Sequence, residues 1–388
     1  MKILFICSSL EPGKDGVGDY TRKLACGLNN RGCITKIVAL NDRRIQTDFW
    51  QGYQSDEGTE TEVLRLSSAL SWHERIQKAK AFITRFNPEW VSLQFVPFSF
   101  HLKGLPLNLH KKLMQVAGHR RWHIMFHELS VNRSESLKFR VWSLLQVQII
   151  KLLAAGLHPG VIHTNTRLYQ YRLAEMGIPA TVLPLFSNIA KTAPLQHHNA
   201  FEAEVPAFLA AHRQNYVVGT LFGSFDYKRW DMRSLLDKFT KGLNKKRVVI
   251  VSLGGMTSGA GCWQQLKLQY PQLVFLTLGN RSAGFISYWL SHYTDFGILT
   301  TLPELATKSG SFMAFKEHGI PVVCREKSPS LDGYHLPAEK QLVEVTADAP
   351  FYLPGKYQPV AQLPTVCNLF INELSANNTQ VPVAAEQV

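Results

Sequence analysis

The sequence predicts an α/β protein built from two consecutive doubly wound domains, and three observations predict it. Apolar, β-branched runs alternate with segments of helical period almost from end to end. The alternation breaks once, at residues 186–215. The length, 388 residues, exceeds one ordinary domain and suits two.

The first domain is expected over residues 1–190. Residues 2–8, KILFICS, form an apolar run suited to a buried parallel strand. A loop with three glycines and a proline follows, LEPGKDGVGDY, and TRKLACGLNNRG then places apolar residues at helical spacing and stops at Gly32. With a strand at 35–40 this reads as a β-α-β unit. The alternation continues through a helix at 74–87, strands at 90–95 and 123–129, and a long amphipathic helix at 136–156. A strand at 160–165, a helix at 166–177 and a strand at 181–185 complete the domain. Residues 186–215 carry two prolines and few β-branched runs, and read as the linker. The second domain, 191–362, repeats the pattern over 216–224, 231–243, 247–255, 261–268, 273–279, 286–293, 297–301, 309–319 and 321–326. Residues 363–377 form an amphipathic helix expected to pack back on the first domain, and 378–388 a flexible tail.

Composition narrows the class. A hydrophobic share of 45% against 18% charged residues supports a packed core and argues against wholesale disorder. No run of eighteen apolar residues occurs, so no membrane-spanning helix is expected. The apolar start breaks off at Cys7 without a cleavage site, which favours a buried strand over a signal peptide. The six cysteines form no Cys-x-x-Cys pair, so no zinc ribbon is expected, and a reducing, cytoplasmic setting fits. The net charge of +13 sits mainly in the first half. Residues 1–190 hold 24 Lys+Arg against 14 Asp+Glu, and residues 191–388 hold 18 against 15. A basic half of this kind meets an anionic membrane surface or an acidic acceptor, or is simply solvated. Nucleic acid ranks low as a partner, because the basic residues follow no recognised motif.

In open α/β sheets ligands bind beyond the carboxyl ends of the strands, so the polar residues there are the candidates. Gly16 and Gly18, with Asp19 and Tyr20, follow the first strand; two glycines before a helix let backbone amides approach an anion, although a plain turn explains the same residues. His127 and Glu128 end the strand 123–129, where an imidazole could bond a sugar hydroxyl or move a proton, or be structural. Ser224 and Lys228 lie in GSFDYKR, where cations beside a glycine turn could neutralise a pyrophosphate. Lys308, Ser309, Gly310 and Ser311 open a helix whose amides and hydroxyls suit a phosphate, or merely cap it. Gln94 and the aromatic stretch 95–100 could line an acceptor or sugar pocket, or belong to the core. No Asp-x-Asp motif and no metal-ligand spacing appears, so no metal is expected.

Taken in order, GVGDYTRKLACGLNNRG, FHEL, GTLFGSFDYKR and KSGSFMAFKEHGIPVV resemble the retaining glycosyltransferases of the GT-B class, specifically the glycosyltransferase family 4 group, over nearly the whole chain. The resemblance implies two Rossmann-like domains facing an interdomain cleft. It implies that Lys228 holds the donor diphosphate, that Gly16 and Gly18 lie near the transferred sugar, and that His127 contacts the sugar or supports the oxocarbenium ion. Ser309, Gly310 and Ser311 would meet ribose or phosphate. The chain departs from the family at one place: the paired glutamates before the Gly-x-Pro-Val-Val strand fall on Ala306 and Ala314.

The expected function is transfer of a hexose from a UDP- or GDP-linked sugar to a glycan or lipid-linked acceptor, with retention and without metal. The resemblance implies front-face attack, the leaving phosphate taking the acceptor's proton. The alternatives are another nucleotide-sugar enzyme on this fold, an epimerase or phosphorylase, or a catalytically silent nucleotide-sugar-binding protein. A cytoplasmic enzyme visiting a membrane through its basic first domain fits the charge distribution.

Overall fold

The computed structural model describes residues 1–129, 137–191, 198–223, 225, 227, 230–240, 246–256, 259–326, 334, 336, 339–346 and 351–377. The chain divides into two compact units, one of Met1–Pro184 with the C-terminal segment from Leu363, the other of Leu185–Gln362. This boundary falls a few residues ahead of the one expected from composition. The tail expected at 378–388 lies outside the described residues.

The first unit runs β1 (Lys2–Cys7), α1 (Gly16–Asn29), β2 (Ile34–Asp42), β3 (Phe49–Asp56), β4 (Thr59–Ser67), α2 (Trp72–Phe86), β5 (Trp90–Phe95), α3 (Pro97–Phe100), α4 (Leu109–Ala117), β6 (Arg121–Phe126), α5 (Leu137–Leu157), β7 (Val161–Thr164), α6 (Arg167–Glu175) and β8 (Thr181–Val182). Its eight strands lie in the order β3-β4-β2-β1-β5-β6-β7-β8, parallel except where β3 pairs with β4. Ile3–Cys7 are wholly buried, as a central parallel strand covered on both faces requires.

The second unit runs α7 (His198–Glu202), α8 (Ala207–His212), β9 (Tyr216–Phe222), α9 (Arg233–Thr240), β10 (Arg247–Leu253), α10 (Ala260–Gln269), β11 (Val274–Gly279), α11 (Ala283–His292), β12 (Phe296–Leu299), α12 (Gly310–Glu317), β13 (Val322–Arg325) and β14 (Leu342–Val345). All six strands are parallel, in the order β11-β10-β9-β12-β13-β14. Alternation along β10 fills two cores. Val249, Val251 and Leu253 face α11 and α12, whereas Val248 and Ile250 face α9 and α10. The last helix, α13 (Leu363–Ala376), belongs to the first unit. It buries Val366, Cys367, Phe370 and Leu374, stacks Phe370 on Phe5 with ring centroids 5.9 Å apart, and lies on α1 closely enough that a Cβ at Gly27 would stand 3.0 Å from Cys367 Sγ.

Four local features differ from expectation. Gly16–Tyr20 is the first turn of α1 and not a loop, because the Asp15 carboxylate caps the helix by accepting from Val17 N at 3.0 Å and Gly18 N at 2.9 Å. β3 and β4 form a hairpin closed by Glu57-Gly58, both at positive φ, the signature of a tight primed turn. The region expected as a linker carries α7 and α8, whose Glu202 accepts from the hydroxyls of Tyr288 and Tyr293, the latter at 2.6 Å. Lastly, Arg140–Leu157 in α5 has the length and apolarity of a membrane span. Its inner face buries Ile149, Ile150, Leu153 and Leu157, while Val141, Leu144, Leu145 and Leu152 stand exposed.

Candidate functional site

In each sheet the strand order reverses beside the first strand of the unit, between β1 and β5 in one and between β9 and β12 in the other. A crevice opens at the carboxyl ends of strands at such a point.

In the first unit the segment after β1 is tied down by acidic groups. Asp42, at the end of β2, accepts from Ser9 Oγ and Leu10 N at 3.1 Å, from Arg44 N at 2.9 Å and from Arg65 Nε at 2.7 Å. Burial alone would raise its carboxyl, but the Arg65 bond and the backbone amides outweigh burial and hold it below the ordinary range. Arg65 continues to Glu11 at 2.6 Å. Asp19 accepts from Gly13 N at 3.1 Å and pairs with Arg22 at 2.5 Å, so it closes the same segment. Gly18 is needed for close packing: a Cβ there would come within 2.5 Å of Ser9 O, whereas nothing lies within 4 Å of a Cβ at Gly16. The amides of Val17 and Gly18 already face a carboxylate, that of Asp15.

His127 follows β6 and is buried. Its Nε2 lies 2.8 Å from Gln94 Oε1, and the Tyr20 ring meets it edge-on at 4.9 Å. Its backbone is fixed on both sides, His127 N donating to Phe95 O at 3.1 Å and its carbonyl accepting from Asn165 Nδ2 at 3.1 Å. Burial pushes its pKa down to about 3, so the ring is neutral at physiological pH. Gln94 and Tyr20 are themselves buried and back the imidazole, and Glu128 beside it is half-buried. Of the aromatic stretch, Phe95 and Phe100 belong to the core and Phe98 is exposed.

In the second unit one turn meets the start of α12 and a second packs on that turn. Gly223 follows β9 at φ +95 and Gly254 follows β10 at φ +122. A Cβ on Gly254 would press on Gly223 O at 2.9 Å, and one on Gly223 would lie 2.8 Å from Ser311 Oγ. Glycine is therefore demanded here both by conformation and by space. α12 is capped by the neutral hydroxyl of Ser309, which accepts from Phe312 N at 3.4 Å, and its first turn holds no acidic residue. Lys308 immediately precedes the cap and, like Ser311, is half-buried, while Gly310 is exposed. Ser224 and Lys228 lie outside the described residues. Between them Phe225 is buried, edge-on to Trp263 at 6.1 Å. Ala306 and Ala314 are fully buried, so these positions offer the crevice no side-chain group. Nearby Glu317 is buried too, accepting from Ser187 N at 2.5 Å. Among the described residues no cluster of three or more His, Cys, Asp or Glu gathers as a metal site would require.

The first unit thus offers a neutral, rigidly backed imidazole beside a segment filled with its own carboxylates. The second offers a helix start with a neutral cap and no acidic residue in its first turn. Sequence reasoning missed Asp15, Arg65 and the bonding role of Asp42; an Asp directly before Gly-x-Gly was the available signal for the cap.

No family model and no curated protein matches the chain. Solved structures do. The Anabaena protein HepE, in complex with UDP and glucose, is 15% identical with a TM-score of 0.52, over 98% of this chain and 92% of that one. UDP-GlcNAc 2-epimerase from Neisseria meningitidis, bound to UDP-GlcNAc, is 11% identical with a TM-score of 0.53, over 97% and 100%. The catalytic domain of Starch Synthase IV from Arabidopsis thaliana, bound to ADP and acarbose, is 10% identical with a TM-score of 0.50, over 98% and 92%. At these identities the likeness is one of fold: two Rossmann-like domains of the GT-B class.

Proposed function

We propose that this protein is a glycosyltransferase that moves a hexose from a UDP- or GDP-linked sugar to a glycan or lipid-linked acceptor, with retention at the anomeric carbon. The observation that carries the reading is the start of α12: a neutral cap, no acidic residue in its first turn, a lysine beside it, and a glycine turn packed against Ser311. A diphosphate meets the requirements of that place. Negative charge grows on the departing diphosphate as the bond from the anomeric carbon to oxygen breaks. The amides of Gly310 and Ser311, the Ser311 hydroxyl and the Lys308 ammonium would oppose it without a metal ion, joined by Lys228 as the family resemblance implies. His127, held neutral, suits recognition of a sugar hydroxyl better than it suits carrying a positive charge. The leaving phosphate would take the acceptor's proton.

The exposed face of α5 favours a lipid-linked acceptor. Leu144 is 63% exposed. It lies with Val141, Leu145 and Leu152 on the exposed side of α5, turned away from Trp142 and Gln146, which bond Lys103 O at 3.0 Å and Gly104 O at 3.4 Å. Arg140 and Lys151, on the same helix, stand exposed beside it. An apolar face flanked by cations suits a cytoplasmic enzyme resting on anionic lipid. Cosedimentation with anionic vesicles at low salt, lost in a Leu144→Glu variant, is the expected result; equal binding by both proteins, or by neither, removes the membrane from the reading.

A nucleotide-sugar epimerase is the second reading, favoured by the likeness to the Neisseria epimerase over 97% of this chain. Thermal shift against UDP, GDP, ADP and their sugars comes first. A nucleotide at a hundred times its Kd stabilises by about 2.7 kcal/mol. Product analysis on the responding donor then separates transfer from epimerisation. No response to any nucleotide would end both readings.

A further inference from the structure

A row of buried polar groups crosses the first unit from His127 to the last helix. His127 Nε2 lies 2.8 Å from Gln94 Oε1, and Gln94 Nε2 donates to Ser92 Oγ at 2.8 Å. Ser92 Oγ lies 2.7 Å from His123 Nδ1, His123 Nε2 lies 2.9 Å from His163 Nδ1, and His163 Nε2 lies 2.6 Å from Glu373 Oε2. Thr181 Oγ1 also donates to that carboxylate oxygen, at 3.0 Å. Ser92, His123 and His163 are wholly buried, and the row reaches water at Glu373, on α13, which is 35% exposed, and at Thr181. The strands make the row possible. Ser92 and Gln94 share one face of β5, Ser92 is in register with His123, and Phe370 of α13 closes over His123 edge-on at 4.9 Å.

The row has a direction. Glu373 is ionised, its carboxyl held low chiefly by the His163 bond, and an ionised carboxylate only accepts. His163 Nε2 therefore carries a proton. Burial holds His123 well below the ordinary histidine range, so it has one proton for two nitrogens. His123 donates from Nε2 to His163 Nδ1, and its own Nδ1 accepts from the Ser92 hydroxyl. Ser92 in turn accepts from the Gln94 amide, which leaves Gln94 Oε1 to accept from His127 Nε2. Every donor then faces one acceptor. A second proton on His163 would turn His123 round. Ser92, already accepting from Gln94, would then hold a hydroxyl hydrogen with no acceptor in the row.

We propose that Glu373 is a positioning residue that fixes the tautomer of His127 through His163, His123, Ser92 and Gln94, placing the proton on Nε2 and leaving Nδ1 as the acceptor. The group His127 recognises is then a hydrogen-bond donor, such as a sugar hydroxyl, and not a bare phosphate oxygen. That consequence rests on the proposed function; the tautomer itself does not.

The test is long-range nitrogen–proton NMR on the full chain labelled in its histidines, which distinguishes the two ring nitrogens of each tautomer. His127 is assigned by the loss of its signals in His127→Gln. In the wild type, His127 and His123 are expected as single Nε2–H tautomers. In Glu373→Ala, where water replaces a fixed acceptor, the His127 signals move towards a mixture, and Glu373→Gln, which keeps an acceptor oxygen, restores the single form. A folding defect would not follow that order. A proton on Nδ1 of wild-type His127, or a single unchanged tautomer in Glu373→Ala, overturns the proposal. The functional consequence is read separately: kcat/KM for the donor in Glu373→Ala falls by about tenfold. A tautomer that responds while turnover does not would remove His127 from the reaction and leave the positioning role standing.

Discussion

Two helices begin at the carboxyl edges of the two sheets, and they begin differently. α1 starts under a carboxylate of its own chain, Asp15, with Asp19 binding the segment before it. α12 starts under a neutral hydroxyl, Ser309, with Lys308 beside it. Both ends carry the partial positive charge of a helix N-terminus, but the first is capped by a carboxylate and the second by a neutral hydroxyl. A doubly wound domain does not by itself bind phosphate. The capping residue decides whether the helix start is a structural joint or an anion seat.

The widest contrast between the units is in acid. Burial depresses His127 to about 3 and His123 well below its ordinary value in the first unit, against His318, at about 4, in the second. A histidine whose folded pKa is lowered contributes stability that is fully present above its unfolded value near 6.5. That stability is lost as the pH falls towards the folded value, because the unfolded chain takes the proton first. Each such ring costs about 1.4 kcal/mol per pH unit in that window. Glu373, held below its ordinary range by His163, adds loss in the same direction at lower pH. Hydrogen-exchange protection at pH 5 should therefore fall further in β5 and β6 than in β9 and β12; equal loss in both sheets would contradict the assigned protonation states.

The second contrast can be erased by substitution. Ser309→Asp gives α12 the arrangement α1 already has. The unliganded protein should melt no lower, since Asp caps as well as Ser. Nucleotide affinity should fall at least about tenfold, because like unit charges about 4 Å apart at a partly buried surface repel by about 4 kcal/mol before screening. Calorimetric titration with the responding nucleotide measures it, and unchanged affinity would mean that the diphosphate sits elsewhere. The reciprocal change, Asp15→Ser, should leave nucleotide affinity untouched.

Within the first unit the two glycines of α1 give the smallest contrast. Gly18→Ala forces a Cβ against Ser9 O and should cost about 1–3 kcal/mol. Gly16→Ala meets open space in a helix and should be neutral, or stabilise by up to about 1 kcal/mol. Urea unfolding of both variants is the measurement; equal loss would mean that Gly16 too is held by a contact.

What the sequence made legible follows the same physics. β1, β5, β9 and β10 are nearly continuous apolar runs because parallel strands are covered on both faces, and they stand out in the chain. The β3–β4 hairpin went unread because β3 is an edge strand, half exposed along its length, and shows no apolar stripe. Gly16–Tyr20 looked like a loop because glycine is a poor helix former, and the Asp15 cap outweighs that preference. His127 was marked by its place at a strand end. The groups behind it were not: Ser92, His123, His163 and Glu373 are brought together by strand register and by a helix more than two hundred residues further along the chain than His163. No local pattern encodes that meeting.

The return of α13 also bears on how the protein is made. Synthesis runs from the N-terminus, and domains generally fold as they emerge. Here the first unit emerges with Phe5 lacking the ring that stacks on it and His163 lacking its carboxylate, because Phe370 and Glu373 are still to be translated. The whole second unit must leave the ribosome before these groups arrive. The domain begun first is finished after the second, and the last bond of its polar row forms only after Glu373 has been made.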